Sequence, residues 1–168
     1  MAEIITQLAF YTGWPKAWAV FAQAMEVYGE EESAPLPALF GLGKKSEDTE
    51  HFTGDVYVKE ISGFDKVILM DSVTFAPGCI NSWHIHQVGQ TLFVTDGRGW
   101  YQEEGKPAQE LHAGEIVDIP ASMKHWHGAS KDSAMTHLAF EDWSKGAPEW
   151  LEKVDPAVYA ALGKDETA

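Results

Sequence analysis

The chain has 168 residues, with 12 Lys+Arg against 26 Asp+Glu and a formal charge of −14. Such a balance opposes phosphate backbones and anionic bilayer surfaces, so nucleic-acid and peripheral-membrane roles are set aside. The length suits a single domain with a short appendage. The 45% hydrophobic content argues for a packed core rather than a disordered chain.

In chain order, residues 1–33 read as a helical hairpin. Ile4, Ile5 and Leu8 fall at helical spacing, and Thr12-Gly13 breaks the run. Pro15 suits a first helical turn, and Val20, Phe21, Ala24, Met25 and Tyr28 continue an apolar stripe that stops at Gly29. Two short helices cannot bury this surface alone, so packing on the rest of the chain or on a second copy is expected. Residues 34–53 read as a linker, with Pro35, Pro37 and the flexible Gly41-Leu42-Gly43; the run Glu30 to Glu32 just before it is a solvated segment. Residues 54–168 form the main body.

Within that body, short stretches rich in β-branched and aromatic residues predict strands over 55–61, 66–75, 90–95, 99–103, 115–119 and 134–140. Asp96-Gly97 and Glu104-Gly105-Lys106-Pro107 read as turns between them. Many short strands at close intervals indicate an all-β sandwich or barrel. The end is helical: Asp155 caps, Pro156 opens the turn, and Ala157 to Leu162 follow before Gly163.

No apolar run approaches the ~18 residues that a bilayer span needs. The opening Met-Ala-Glu carries an acid where an export signal requires positive charge. A lone cysteine, Cys79, fits a reducing compartment, so a cytoplasmic location is expected.

The histidines carry the chemical signal. Side chains at i and i+2 of a strand share a face, so His84 and His86 converge. Gln90 follows a turn at Val88-Gly89 and approaches the same point from the next strand. His125 and His127 repeat the i, i+2 spacing, and together these residues supply three or four neutral ligands to one cation. His137 has only its strand position to recommend it. His51 and His112 read as exposed. Lys124 reads as a solvated charge, Cys79 as a small buried residue, and Trp83 and Trp126 as barrel packing on the opposite face.

These residues resemble the cupin superfamily. Its first motif is Gly, five residues, His-x-His, three or four residues, Glu, six residues, Gly. Gly78, His84, His86, Gln90 and Gly97 match it, with Gln in place of Glu. In the second motif Gly114, Pro120 and His125 match, while Ser122 and Ala129 stand where the motif has Gly and Asn. The resemblance implies an all-β cupin barrel, a double-stranded β-helix or jelly roll, flanked here by the N-terminal hairpin and the short C-terminal helix.

The runs W-H-I-H-Q-V-G-Q-T-L from Trp83, K-H-W-H-G-A from Lys124 and A-M-T-H-L-A from Ala134 are similar to small bacterial cupins with R-selective hydroxynitrile lyase activity. That resemblance implies a divalent metal, manganese first and Fe2+, Ni2+ or Zn2+ as alternatives, held by His84, His86, Gln90 and His125. It implies His127 and His137 as pocket residues. One of those two is expected to act as general base on a small-molecule substrate, because histidine exchanges protons near neutrality. The neutral Gln90 would leave the metal its full charge and make it a stronger Lewis acid. A metal-dependent oxygenase or isomerase, and a non-catalytic small-ligand cupin, are the competing readings, since fold alone does not give function.

Ile4 to Ala17 is similar to the last helices of carboxymuconolactone decarboxylase-like proteins. Because the stretch follows directly on Met1, the earlier helices that hold that family's functional residues are expected to be missing. No decarboxylase or peroxidase activity is therefore carried over. The expected role is packing or assembly as a homodimer or higher homo-oligomer.

Overall fold

The computed structural model describes residues 38–62 and 68–163. The expected hairpin over residues 1–33 and its likeness to decarboxylase helices lie outside these residues.

Ten strands and one helix are described. They are β1 (Lys44–Lys45), β2 (Val56–Ser62), β3 (Ile68–Phe75), β4 (His84–Ile85), β5 (Gln90–Glu103), β6 (Gln109–His112), β7 (Ile116–Ile119), β8 (His125–Ala129), β9 (Met135–Asp142), β10 (Glu149–Trp150) and α1 (Pro156–Ala161). All pairings are antiparallel, in the order β1-β2-β3-β9-β5-β8-β4-β10, with β6 and β7 also on β5. Part of the stretch read as linker is thus strand: Lys44 and Lys45 pair with Val58 and Tyr57.

The turn expected at Asp96-Gly97 is absent. β5 continues through it as one strand of 14 residues, and the register against β9 shifts between Val94 and Asp96. Gly97 takes φ +72, and a Cβ there would run into the Ala134 carbonyl. A residue without a side chain bends the strand here without ending it. The bend lets β5 serve two sheets: Gln90–Gly97 pairs with β9, while Gly99–Glu103 pairs with β8. The two halves of the barrel are thereby held on one continuous backbone, which sets the histidines of β8 against the polar residues of β9.

The core lies between these sheets, with Val56, Phe75, Leu92, Val94, Leu111 and Ile119 all buried. A smaller cluster of Ile80, Trp126 and Val154 lies on the other face of β8, with Trp83 and Tyr159 against it. The alternation His125, Trp126, His127 therefore sends the indole one way and both imidazoles the other, as expected from period two. Asp155 caps α1 by accepting from the Ala157 amide, with Pro156 in the first turn. No described helix is long and apolar enough to cross a membrane.

Candidate metal centre

Strands β4, β8 and β9, with the segment that follows β4, bring the histidines together. His84 on β4 is the register partner of His125 on β8, and their rings lie 4.1 Å apart. His86, two residues on, stands 5.2 Å from the His84 ring and 5.7 Å from that of His125. The ring nitrogens of His84, His125 and His127 fall within 4.8 Å of one another. Gln90 at the start of β5 reaches the same point, its Oε1 3.2 Å from His125 Nε2.

The hydrogen bonds orient this set. His84 Nδ1 donates to the Ser82 carbonyl at 2.9 Å and His125 Nδ1 to the Met123 carbonyl at 2.8 Å. A carbonyl only accepts, so each proton is held on Nδ1 and each Nε2 presents a lone pair. Gln90 Nε2 donates to Glu141 Oε1 at 2.6 Å, which turns Gln90 Oε1 towards His125. Two lone-pair atoms, His125 Nε2 and Gln90 Oε1, therefore face each other. That contact is repulsive by itself and favourable around a cation, so the residues fit a divalent metal.

Burial acts in the same direction. It pushes His84 well below its ordinary range, with the neighbouring His125 adding to the effect, and brings His86 and His125 down to about 4. Neutral imidazole is the ligating form.

His127, one of the three histidines of that close group, and His137 have rings 4.9 Å apart. Burial lowers both, His137 to about 4 and His127 well below its usual value. Their hydrogen bonding differs. Asn81 Oδ1 accepts the His127 backbone amide at 2.8 Å, so its Nδ2 is the group that donates to His127 Nε2, at 3.1 Å. His127 Nε2 is committed. Neither ring nitrogen of His137 has a hydrogen-bond partner among the described residues, although the side chain is fully buried beside Phe75.

Two residues near the site, Glu141 and Asn81, escaped the sequence reading. Glu141 is half-buried, accepts from Gln90 and from Trp143 Nε1 (2.7 Å), and lies 3.7 Å from His86 Nδ1; its partial burial raises its carboxyl. Period two along β9 (His137, Ala139, Glu141) was the signal that could have found it. Asn81 gave no spacing signal, since it meets His127 only across strands. His51 is not exposed and idle: it binds Asp48 at 2.7 Å and stacks at 4.6 Å on Trp150, whose ring lies 4.8 Å from that of His84. Lys124, expected in solvent, is largely covered and ion-pairs with Glu104 (2.8 Å) and Glu152 (2.6 Å).

A cavity of about 250 Å3 adjoins the cluster, with His84, His86, Gln90, His127 and His137 in its wall. His125 lies behind it at 0% exposure. A curled antiparallel barrel with histidines and a carboxamide converging on its inner face is an arrangement that could hold a metal ion.

The Cupin domain family model matches residues 71–140. The chain is similar to an (R)-mandelonitrile lyase of Granulicella tundricola, 48% identical over 89 residues, which span 52% of this chain and 68% of that one. Among solved structures, a cupin-like protein from Thermotoga maritima shares 38% identity at a TM-score of 0.71, over 76% of this chain and 100% of the other. A cupin 2 conserved barrel domain protein from Rhodopseudomonas palustris, 15% identical with TM-score 0.55 over 65% of this chain and 74% of its own, is alike in fold. This chain belongs to the cupin family.

Proposed function

We propose that this protein is a metal-dependent carbon–carbon lyase that cleaves or forms cyanohydrins with R selectivity. His84, His86, Gln90 and His125 would hold the metal, and manganese is the ion that the resemblance favours. The observation that carries the reading is the buried His137, without a hydrogen-bond partner among the described residues, beside a group of histidines that could hold a cation. The identity to a mandelonitrile lyase supports the same reaction class.

When bound, the metal supplies Lewis acidity towards the substrate oxygen or the departing cyanide. The remaining chemistry falls to the chain. His137, kept neutral by burial, takes the proton of the cyanohydrin hydroxyl. The oxygen lone pair forms the carbonyl, the C–C bond breaks, and its electron pair leaves with cyanide. His137 returns the proton to give hydrogen cyanide. Glu141 and Asp71 line the same cavity and offset the charge that His137 gains. His127, whose Nε2 already accepts from Asn81, orients the substrate rather than deprotonating it.

The test is benzaldehyde release from racemic mandelonitrile by manganese-loaded and chelator-stripped protein, with metal content measured alongside. Metal-dependent release that favours one enantiomer is expected. No release from fully metallated protein would overturn the reading.

A further inference from the structure

Glu141 is held at both of its carboxylate oxygens. Oε1 accepts from Gln90 Nε2 at 2.6 Å, and Oε2 accepts from Trp143 Nε1 at 2.7 Å. Period two runs on past the end of β9, so Trp143 follows His137, Ala139 and Glu141 on the face that lines the cavity. The indole is 37% exposed, which places it where the cavity wall meets solvent.

The second hydrogen bond matters because of how a carboxylate turns. The terminal torsion of a glutamate is broad and roughly two-fold, so a donor on one oxygen leaves the plane free to swing. Donors on both oxygens fix it. His86 Nδ1 stands 3.7 Å from Oε2, beyond hydrogen-bond reach, and draws that oxygen once the indole N–H is gone. Such a swing takes Oε1 away from Gln90 Nε2. The Gln90 amide is then free to turn over and present its NH2 group, which has no lone pair to offer a cation, in place of Oε1. Three contacts thus run in series from the cavity rim: indole to carboxylate, carboxylate to carboxamide, and carboxamide oxygen to His125 Nε2 at 3.2 Å.

We propose that Trp143 is a positioning residue for the metal centre: through Glu141 it keeps the Gln90 oxygen, and not the Gln90 N–H groups, turned towards the cation. This rests on reading Gln90 as a metal ligand beside His84, His86 and His125. In this role the indole acts on metal affinity and leaves the proton transfer at His137 untouched.

The experiment is calorimetric titration of the chelator-stripped full chain with manganese. Trp143→Phe keeps a ring and removes the N–H, and is expected to weaken manganese binding about three- to tenfold, the scale of one hydrogen bond. In Glu141→Gln the Gln90 amide is already released, so adding Trp143→Phe should change the affinity by less than about twofold. At saturating manganese the kcat of Trp143→Phe for mandelonitrile should stay within about twofold of the unaltered chain, while the half-activating manganese concentration rises. An unchanged affinity in Trp143→Phe, or an equal further loss in the Glu141→Gln background, would overturn the inference. So would a large fall in kcat at saturating metal, which would place the indole in the reaction itself. Trp143→Leu carries the same titration if the phenylalanine variant does not fold. Failure of the unaltered chain to take up manganese, Fe2+, Ni2+ or Zn2+ would overturn the inference together with the metal reading. Metal binding without mandelonitrile cleavage removes the lyase alone, and the affinities still decide the part played by Trp143.

Discussion

Gln90 Nε2 donates to Glu141 Oε1 at 2.6 Å, and the two residues are register partners on β5 and β9. The motif position that holds Glu in most cupins is neutral here, but a carboxylate stands one hydrogen bond behind it. The negative charge has moved back by one residue rather than disappeared. A count of donor charges from sequence therefore overstates how electron-poor the site is.

This relationship predicts the effect of exchanging the two groups. Gln90→Glu alone would face Glu141 with a second carboxylate at hydrogen-bond distance, and the two would have to share a proton. The metal-free variant should melt several degrees lower. Combining it with Glu141→Gln should restore the melting temperature, which calorimetry of the stripped proteins would read. Glu141→Gln by itself frees the Gln90 amide to turn over and should weaken metal binding about 10–100-fold. An unchanged metal dissociation constant would show that the carboxylate does not orient the amide.

The metal set is separable by metal analysis. His84→Ala and His125→Ala should each leave protein without stoichiometric metal after dialysis, because each removes an Nε2 directed by a backbone carbonyl. His127→Ala should keep its metal, since its Nε2 is engaged by Asn81. Metal retained in His84→Ala, or lost in His127→Ala, would redraw the donor set.

His137→Phe should keep metal content and fold while cyanohydrin cleavage falls by about 10²–10⁴, the usual scale for losing a general base. His127→Ala should lower kcat much less. A larger loss in His127→Ala than in His137→Phe would reverse the assignment of the base.

Asp71 makes stability depend on pH with a defined sign. Its folded carboxyl sits near 6, above the unfolded value near 4, so the folded chain holds the proton more tightly. The contribution of Asp71 to stability is greatest below about pH 4, declines as pH rises towards 6, and is flat above that. Asp71→Asn should therefore stabilise the protein at pH 7.5 by about 1 kcal/mol, discounted for partial exposure, and by nothing at pH 4. Melting curves at the two pH values check this.

The strands that carry the histidine cluster were legible because period two and the His-x-His spacing are local properties of the chain. So was α1, from its Asp155-Pro156 start. The run through Asp96-Gly97 was misread because turn residues also serve bulges, and only the pairing partners on β9 and β8 show that the strand continues.

Sequence by itself determined the barrel class and the residues that converge, since both follow from side-chain alternation and motif spacing. Tertiary structure alone decided what stands behind them: Glu141 on Gln90, Asn81 on His127, and on His137 no hydrogen-bond partner among the described residues. Those contacts join strands far apart in the chain, and hydrogen-bond direction depends on which acceptor lies within 3 Å or so, which no local pattern encodes.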